Sequence, residues 1–80
     1  MTEQNTTALT KLNDTQLATW EGLLHAFDVA PTQAMVARGK ARADGYLLGL
    51  LDAQVIGEAE REALYEAATS REHAAAVRTA

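Results

Sequence analysis

An all-α bundle is the fold class this sequence predicts: three helices, or four if the last segment breaks, with a long central helix. Three observations carry the prediction. Apolar residues recur at three- and four-residue spacings, helix start signals punctuate the chain, and no segment shows the alternation of a strand. The chain has 80 residues, enough for one small domain.

Residues 1–11, MTEQNTTALTK, are polar, threonine-rich and without clear periodicity, so they are expected to be a disordered tail ahead of a helical domain over 12–80. Order is predicted to begin at a capping box. Asn13 takes the cap and Gln16 the third helical position, while Leu12 and Leu17 form a hydrophobic staple across the helix entrance. Leu17, Trp20, Leu24 and Phe27, with Leu23 beside them, then make the apolar stripe of a helix over roughly 14–27. Trp20 is read as core, with a recognition anchor as the alternative.

Pro31 breaks the chain. It disfavours the helical conformation at Ala30 and suits the first turn of a new helix. The long helix should start at 31–33 and end near 53 or 54, with Val55, Ile56 and Gly57 as a tight connection. Gly57 is then the cap of the next helix, Glu60 occupies its third position, and Glu58 and Glu60 suit the positive end of its dipole. Ala59, Ala63, Leu64, Ala67 and Ala68 form its inward stripe. Thr69 and Glu72 can cap a short further helix carrying Ala74 and Val77, or the helix runs straight on; the sequence leaves both open.

The segment GKARADGYLLGLLDA, residues 39–53, carries three glycines and raises three functional readings. A phosphate loop fails at both ends, because Ala34 stands where the first glycine belongs and Ala41 where Ser or Thr must follow Gly39-Lys40. A membrane dimerisation motif, suggested by Gly45 and Gly49, fails because Lys40, Arg42, Asp44 and Asp52 flank it and the apolar run is far short of a span. The third reading is close helix packing. Ala37, Ala41, Gly45, Gly49 and Ala53 lie four residues apart and form a slanted ribbon of small residues, with Gly39 off it. Two interior glycines cost about 1 kcal/mol each relative to alanine, so the ribbon is expected to meet another helix closely, in this chain or a second copy. Alanine at Gly49 is expected to destabilise, and alanine at Gly39 to be neutral or stabilising.

Met35, Tyr46, Leu47, Leu48, Leu50 and Leu51 line the other sides of that helix, apolar nearly all round between 46 and 51, which predicts an interaction surface at Tyr46, Leu47, Leu50 and Leu51. Arg38, Lys40 and Arg42 are the one basic cluster. Arg38 and Arg42 share a face, whereas Lys40 points elsewhere and can pair with Asp44. The cluster reads as a solvated face or as a docking patch for an acidic partner.

Composition narrows the function. Alanine supplies 17 residues and large apolar side chains are few, so the core is small for the chain length. The absence of cysteine removes disulfides and thiolate metal sites. Oligomerisation is the remaining staple, which favours a homodimer or an association with another protein. A net charge of −4 opposes generic attraction to nucleic acid. His25 and His73 stand apart without a ligand set, and no nucleophile–base–orienter group is visible, so no catalytic residue, metal or cofactor is expected. No apolar targeting segment is present, which makes the cytoplasm the default location and gives no membrane role. The expected function is a non-catalytic protein-interaction module acting as a small regulator or inhibitor. The alternative is a small dimeric nucleic-acid-binding regulator using the Arg38/Arg42 face. The stretch GYLLGLLDAQVIGEAEREAL resembles small helical accessory proteins of bacterial mobile elements, without identifying a family or assigning any residue a role.

Overall fold

The structure, a computed structural model, describes the backbone of residues 3–80 and the side chains of residues 6–80. Four helices follow one another: α1 (Glu3–Thr10), α2 (Asp14–Val29), α3 (Gln33–Asp52) and α4 (Glu58–Arg78). No strand occurs among the described residues.

The predicted punctuation holds at atomic detail. Asn13 caps α2, accepting from the Gln16 amide at 2.8 Å, while the Gln16 side chain accepts from the Asn13 amide at 2.9 Å. Leu12 is buried and Leu17 packs against the core, as the staple requires. Ala30, ahead of Pro31, is extended at φ −62°, ψ 125°. Thr32 then caps α3, its hydroxyl accepting from the Met35 amide at 3.2 Å. At the start of α4 the Glu60 carboxylate accepts from the Gly57 amide at 2.6 Å.

The end of α3 is a Schellman turn. Val55 N–H donates to the Leu50 carbonyl and Gln54 N–H to the Leu51 carbonyl, both at 3.0 Å. This geometry sets Gln54 in the left-handed region at φ 62°, the one non-glycine residue with positive φ among the described residues. α4 then runs unbroken from Glu58 to Arg78, which settles the alternative left open at Thr69.

The tail expectation is corrected. Residues 3–10 form α1, which packs on α4; residues 1 and 2 lie outside the described residues. Ala8 is fully buried, and Lys11 pairs with Glu60 at 3.4 Å. An eight-residue, threonine-rich helix is marginal in water and carries little periodic signal, so its stability comes from the α4 surface beneath it.

Side-chain contacts give the topology. Gln33 near the start of α3 donates to the Ala76 carbonyl near the end of α4 at 3.3 Å, so α3 and α4 form an antiparallel hairpin. α2 runs antiparallel to α3, with the Tyr46 hydroxyl donating to the Gln16 carbonyl at one end and Phe27 against Gly39 at the other. Arg71 and Arg78 on α4 secure the other end of α2. Arg71 pairs with Asp28 at 2.9 Å, and Arg78 donates to the Phe27 carbonyl at 3.1 Å and to the Ala30 carbonyl. Those carbonyls are among the acceptors a helix end leaves unpaired, and the guanidinium also complements the negative end of the dipole. Trp20, Phe27, Leu47 and Leu64 form the centre of the core, each at most 1% exposed.

Candidate interaction surface

α3 has two unlike faces. Its inner face carries Val36, Gly39, Ala43, Leu47 and Leu50, all buried. Tyr46 is half-buried and packs against the same core, and Leu51 is half-buried. The expected interaction surface of Tyr46, Leu47, Leu50 and Leu51 is therefore corrected: Tyr46, Leu47 and Leu50 cover the chain's own interior, and Leu51 is half-buried beside the α3–α4 recess. α2 and α4 cover the inner side of α3, while Met35 and Leu48 stay exposed.

The glycine expectation is corrected as far as a helix of the same chain is concerned. Ala37, Ala41, Gly45, Gly49 and Ala53 are all exposed. A Cβ added at Gly45 or Gly49 would meet nothing within 4 Å. No helix among the described residues approaches Gly45 or Gly49. Gly39, expected to be of no packing consequence, is the closely packed glycine: a Cβ there would sit 3.3 Å from Phe27 Cε1. Phe27 itself is fully buried, so the ring is held from the other sides.

The basic cluster divides as its spacing implied. Lys40 lies largely covered, 3.3 Å from Asp44 and 4.1 Å from the centre of the Tyr65 ring. Burial on its own would lower the pKa of this ammonium, but the interactions with Tyr65 and Asp44 outweigh it and the net direction is upward. The second Asp44 oxygen is covered without a hydrogen-bond partner. Arg38 and Arg42 stand exposed on the outer face, and neither has an ion-pair or hydrogen-bond partner among the described residues; Asp52 on the same face also has none.

Among the described residues, recesses border α3 on both sides. One of about 310 Å³ lies at the α2–α3 corner, between Val29, Pro31 and Met35 on one side and Arg38 and Arg42 on the other. Val29 and Met35 are exposed at its rim. The other, about 410 Å³, runs between the end of α3 and the start of α4 over Leu47, Leu48, Leu51 and Tyr65, with Asp44, Glu58 and Arg61 around it. Arg61 is held there by Glu58 at 3.3 Å and Glu62 at 3.6 Å. His25 and His73 are exposed, and no group of three or more metal-binding side chains forms among the described residues.

Arg71 and Arg78, which tie α4 to α2, have no distinguishing sequence signal. Their partners are backbone carbonyls and a carboxylate more than 40 positions away, contacts that only the fold creates.

The chain matches no protein-family model, no curated protein and no solved structure. No helix among the described residues is long and apolar enough to cross a membrane.

Proposed function

We propose that this protein is a non-catalytic interaction module that self-associates through the outer face of α3, in the cytoplasm, as a small regulator or inhibitor. One observation carries the reading: Gly45 and Gly49 occupy the middle of an exposed helical face with open space where their side chains would be. Each costs about 1 kcal/mol relative to alanine, and no contact among the described residues offsets it. A second helix laid against this face gives the missing side chains a purpose, because small residues let two backbones approach closely. Leu48, 55% exposed on the same face, adds apolar area for such a contact.

The test is the mass in solution at micromolar concentration, by light scattering. A dimer is expected. Ala41→Glu with Leu48→Glu should give a folded monomer, since both positions are already exposed. A wild-type monomer throughout that range overturns the reading.

The unpaired Arg38 and Arg42 support a second reading, contact with nucleic acid. A gel shift at several salt concentrations tests it. Binding weaker than about 10⁻⁴ M at physiological salt removes it, since even non-specific binders usually reach that strength.

A further inference from the structure

Arg38, Gly45 and Asp52 are spaced seven residues apart on the outer face of α3. Seven residues rotate a helix by 700°, only about 20° short of two full turns, so the three positions form a nearly straight line. The line reads positive, small, negative. Arg38 and Asp52 stand about 21 Å apart along the axis, one on each side of Gly45. Both are exposed and unpartnered among the described residues.

We propose that a second copy of this chain docks antiparallel on α3, with Gly45 on the twofold axis and each Arg38 facing Asp52 of the other copy. This rests on the self-association proposed above and adds its direction and register. The line is self-complementary in that arrangement alone. Inverting it about Gly45 places Arg38 where Asp52 was, so two equivalent ion pairs form and glycine meets glycine at the centre. A parallel pair in register sets Arg38 against Arg38 and Asp52 against Asp52, which is repulsive at both ends. Closed twofold pairing also uses the same patch on both copies, as most homodimers do.

The seven-residue spacing fixes the crossing. A 3.5-residue repeat keeps two helices in contact at a shallow left-handed angle of about 20°, the geometry of helix bundles. Ala34, Ala41 and Leu48 form a second seven-spaced line beside the first. At the crossing Gly45 and Ala41 leave the backbones free to approach toward the short end of the usual 8–10 Å. Arg42 lies about 40° round the helix from Arg38, at the edge of the seam, where it stays hydrated.

The chain has no cysteine, so single introduced thiols can map the contact. Arg38→Cys and Asp52→Cys chains are mixed in equal amounts and treated with a short bis-maleimide. The mixed pair retains one native Arg38–Asp52 contact. The expected product is the mixed 38–52 dimer, with little 38–38 or 52–52 product from either chain alone. As a second measurement, Arg38→Asp or Asp52→Arg alone should weaken dimerisation about tenfold or more, because attraction becomes repulsion at two sites. The double charge swap should restore it. Circular dichroism of each variant checks the fold, which these exposed positions should leave unchanged. Predominant 38–38 product, or a stable dimer without 38–52 product and without rescue by the double swap, overturns the register while self-association stands. A wild-type monomer overturns both.

Discussion

Adding one methyl group at Gly39 and at Gly49 should change stability in opposite directions. Both positions are helical, so alanine brings each the same intrinsic gain of up to about 1 kcal/mol, partly through the smaller entropy of the unfolded chain. At Gly49 nothing lies within 4 Å of the new Cβ, and the gain is kept. At Gly39 the methyl arrives 3.3 Å from Phe27 Cε1, inside ordinary contact distance. The ring is fully buried, so it yields only by displacing its neighbours. Overpacking of this kind costs about 1–3 kcal/mol, which exceeds the gain. Gly39→Ala should therefore lose about 1 kcal/mol and Gly49→Ala should gain about 0.5–1 kcal/mol. In urea, with a slope near 1 kcal/mol per M for a chain of this size, the two midpoints should fall about 1.5–2 M apart on either side of the wild type. The measurement is run at protein concentrations below any dimerisation and repeated above it, where a contact across the outer face would erode the Gly49→Ala gain. A Gly39→Ala variant as stabilised as Gly49→Ala at low concentration would refute the reasoning, because Phe27 would then have room to move.

The turn after α3 offers a second stability test: Gln54→Gly should relieve the left-handed backbone at φ 62° and raise stability by about 0.5–1 kcal/mol, seen as a melting temperature higher by roughly 4 °C. Arg78→Ala removes the donors to the Phe27 and Ala30 carbonyls at the end of α2 and should cost about 1–2 kcal/mol in denaturant unfolding, with Arg78→Lys recovering only part because a single ammonium cannot reproduce the planar fork. Glu60 predicts a pH dependence. The Gly57 amide, reinforced by Lys11, holds its carboxyl below the ordinary value of 4.5 against the opposing effect of burial. Its stabilising contribution is therefore complete above the unfolded value and is lost as pH falls through the lower folded value. Stability of the wild type should decline more steeply between about pH 5 and about pH 3 than that of Glu60→Gln, which keeps an acceptor for the Gly57 amide but does not titrate; parallel declines would show that the Glu60 charge is not stabilising. Leu47→Glu should unfold the chain at every concentration rather than release a folded monomer, as judged by circular dichroism, because this side chain is 1% exposed in the core.

The chain itself determined what depends on near neighbours. The Asn13–Gln16 box, the Pro31 break, the Gly57–Glu60 cap and the Lys40–Asp44 pair each involve residues no more than four apart, so their chemistry is written in adjacent letters. The class of fold followed from the same signals, since helix stripes repeat every three or four residues. Tertiary structure decided which way the stripes turned. Tyr46, Leu47, Leu50 and Leu51 could have faced a partner or the interior. For Tyr46, Leu47 and Leu50 the choice fell to the interior because α2 and α4 pack against that side of α3, while α1, too short and too polar to announce itself, covers α4. The glycines show the same division. The sequence marks Gly39, Gly45 and Gly49 as positions without side chains, but space around a backbone is set by whatever packs across from it. Here that is Phe27 opposite Gly39 and, among the described residues, nothing opposite Gly45 and Gly49. The straight line of Arg38, Gly45 and Asp52 was present in the spacing from the start; only the buried inner face of α3 showed that this line points outward, free for another molecule to meet.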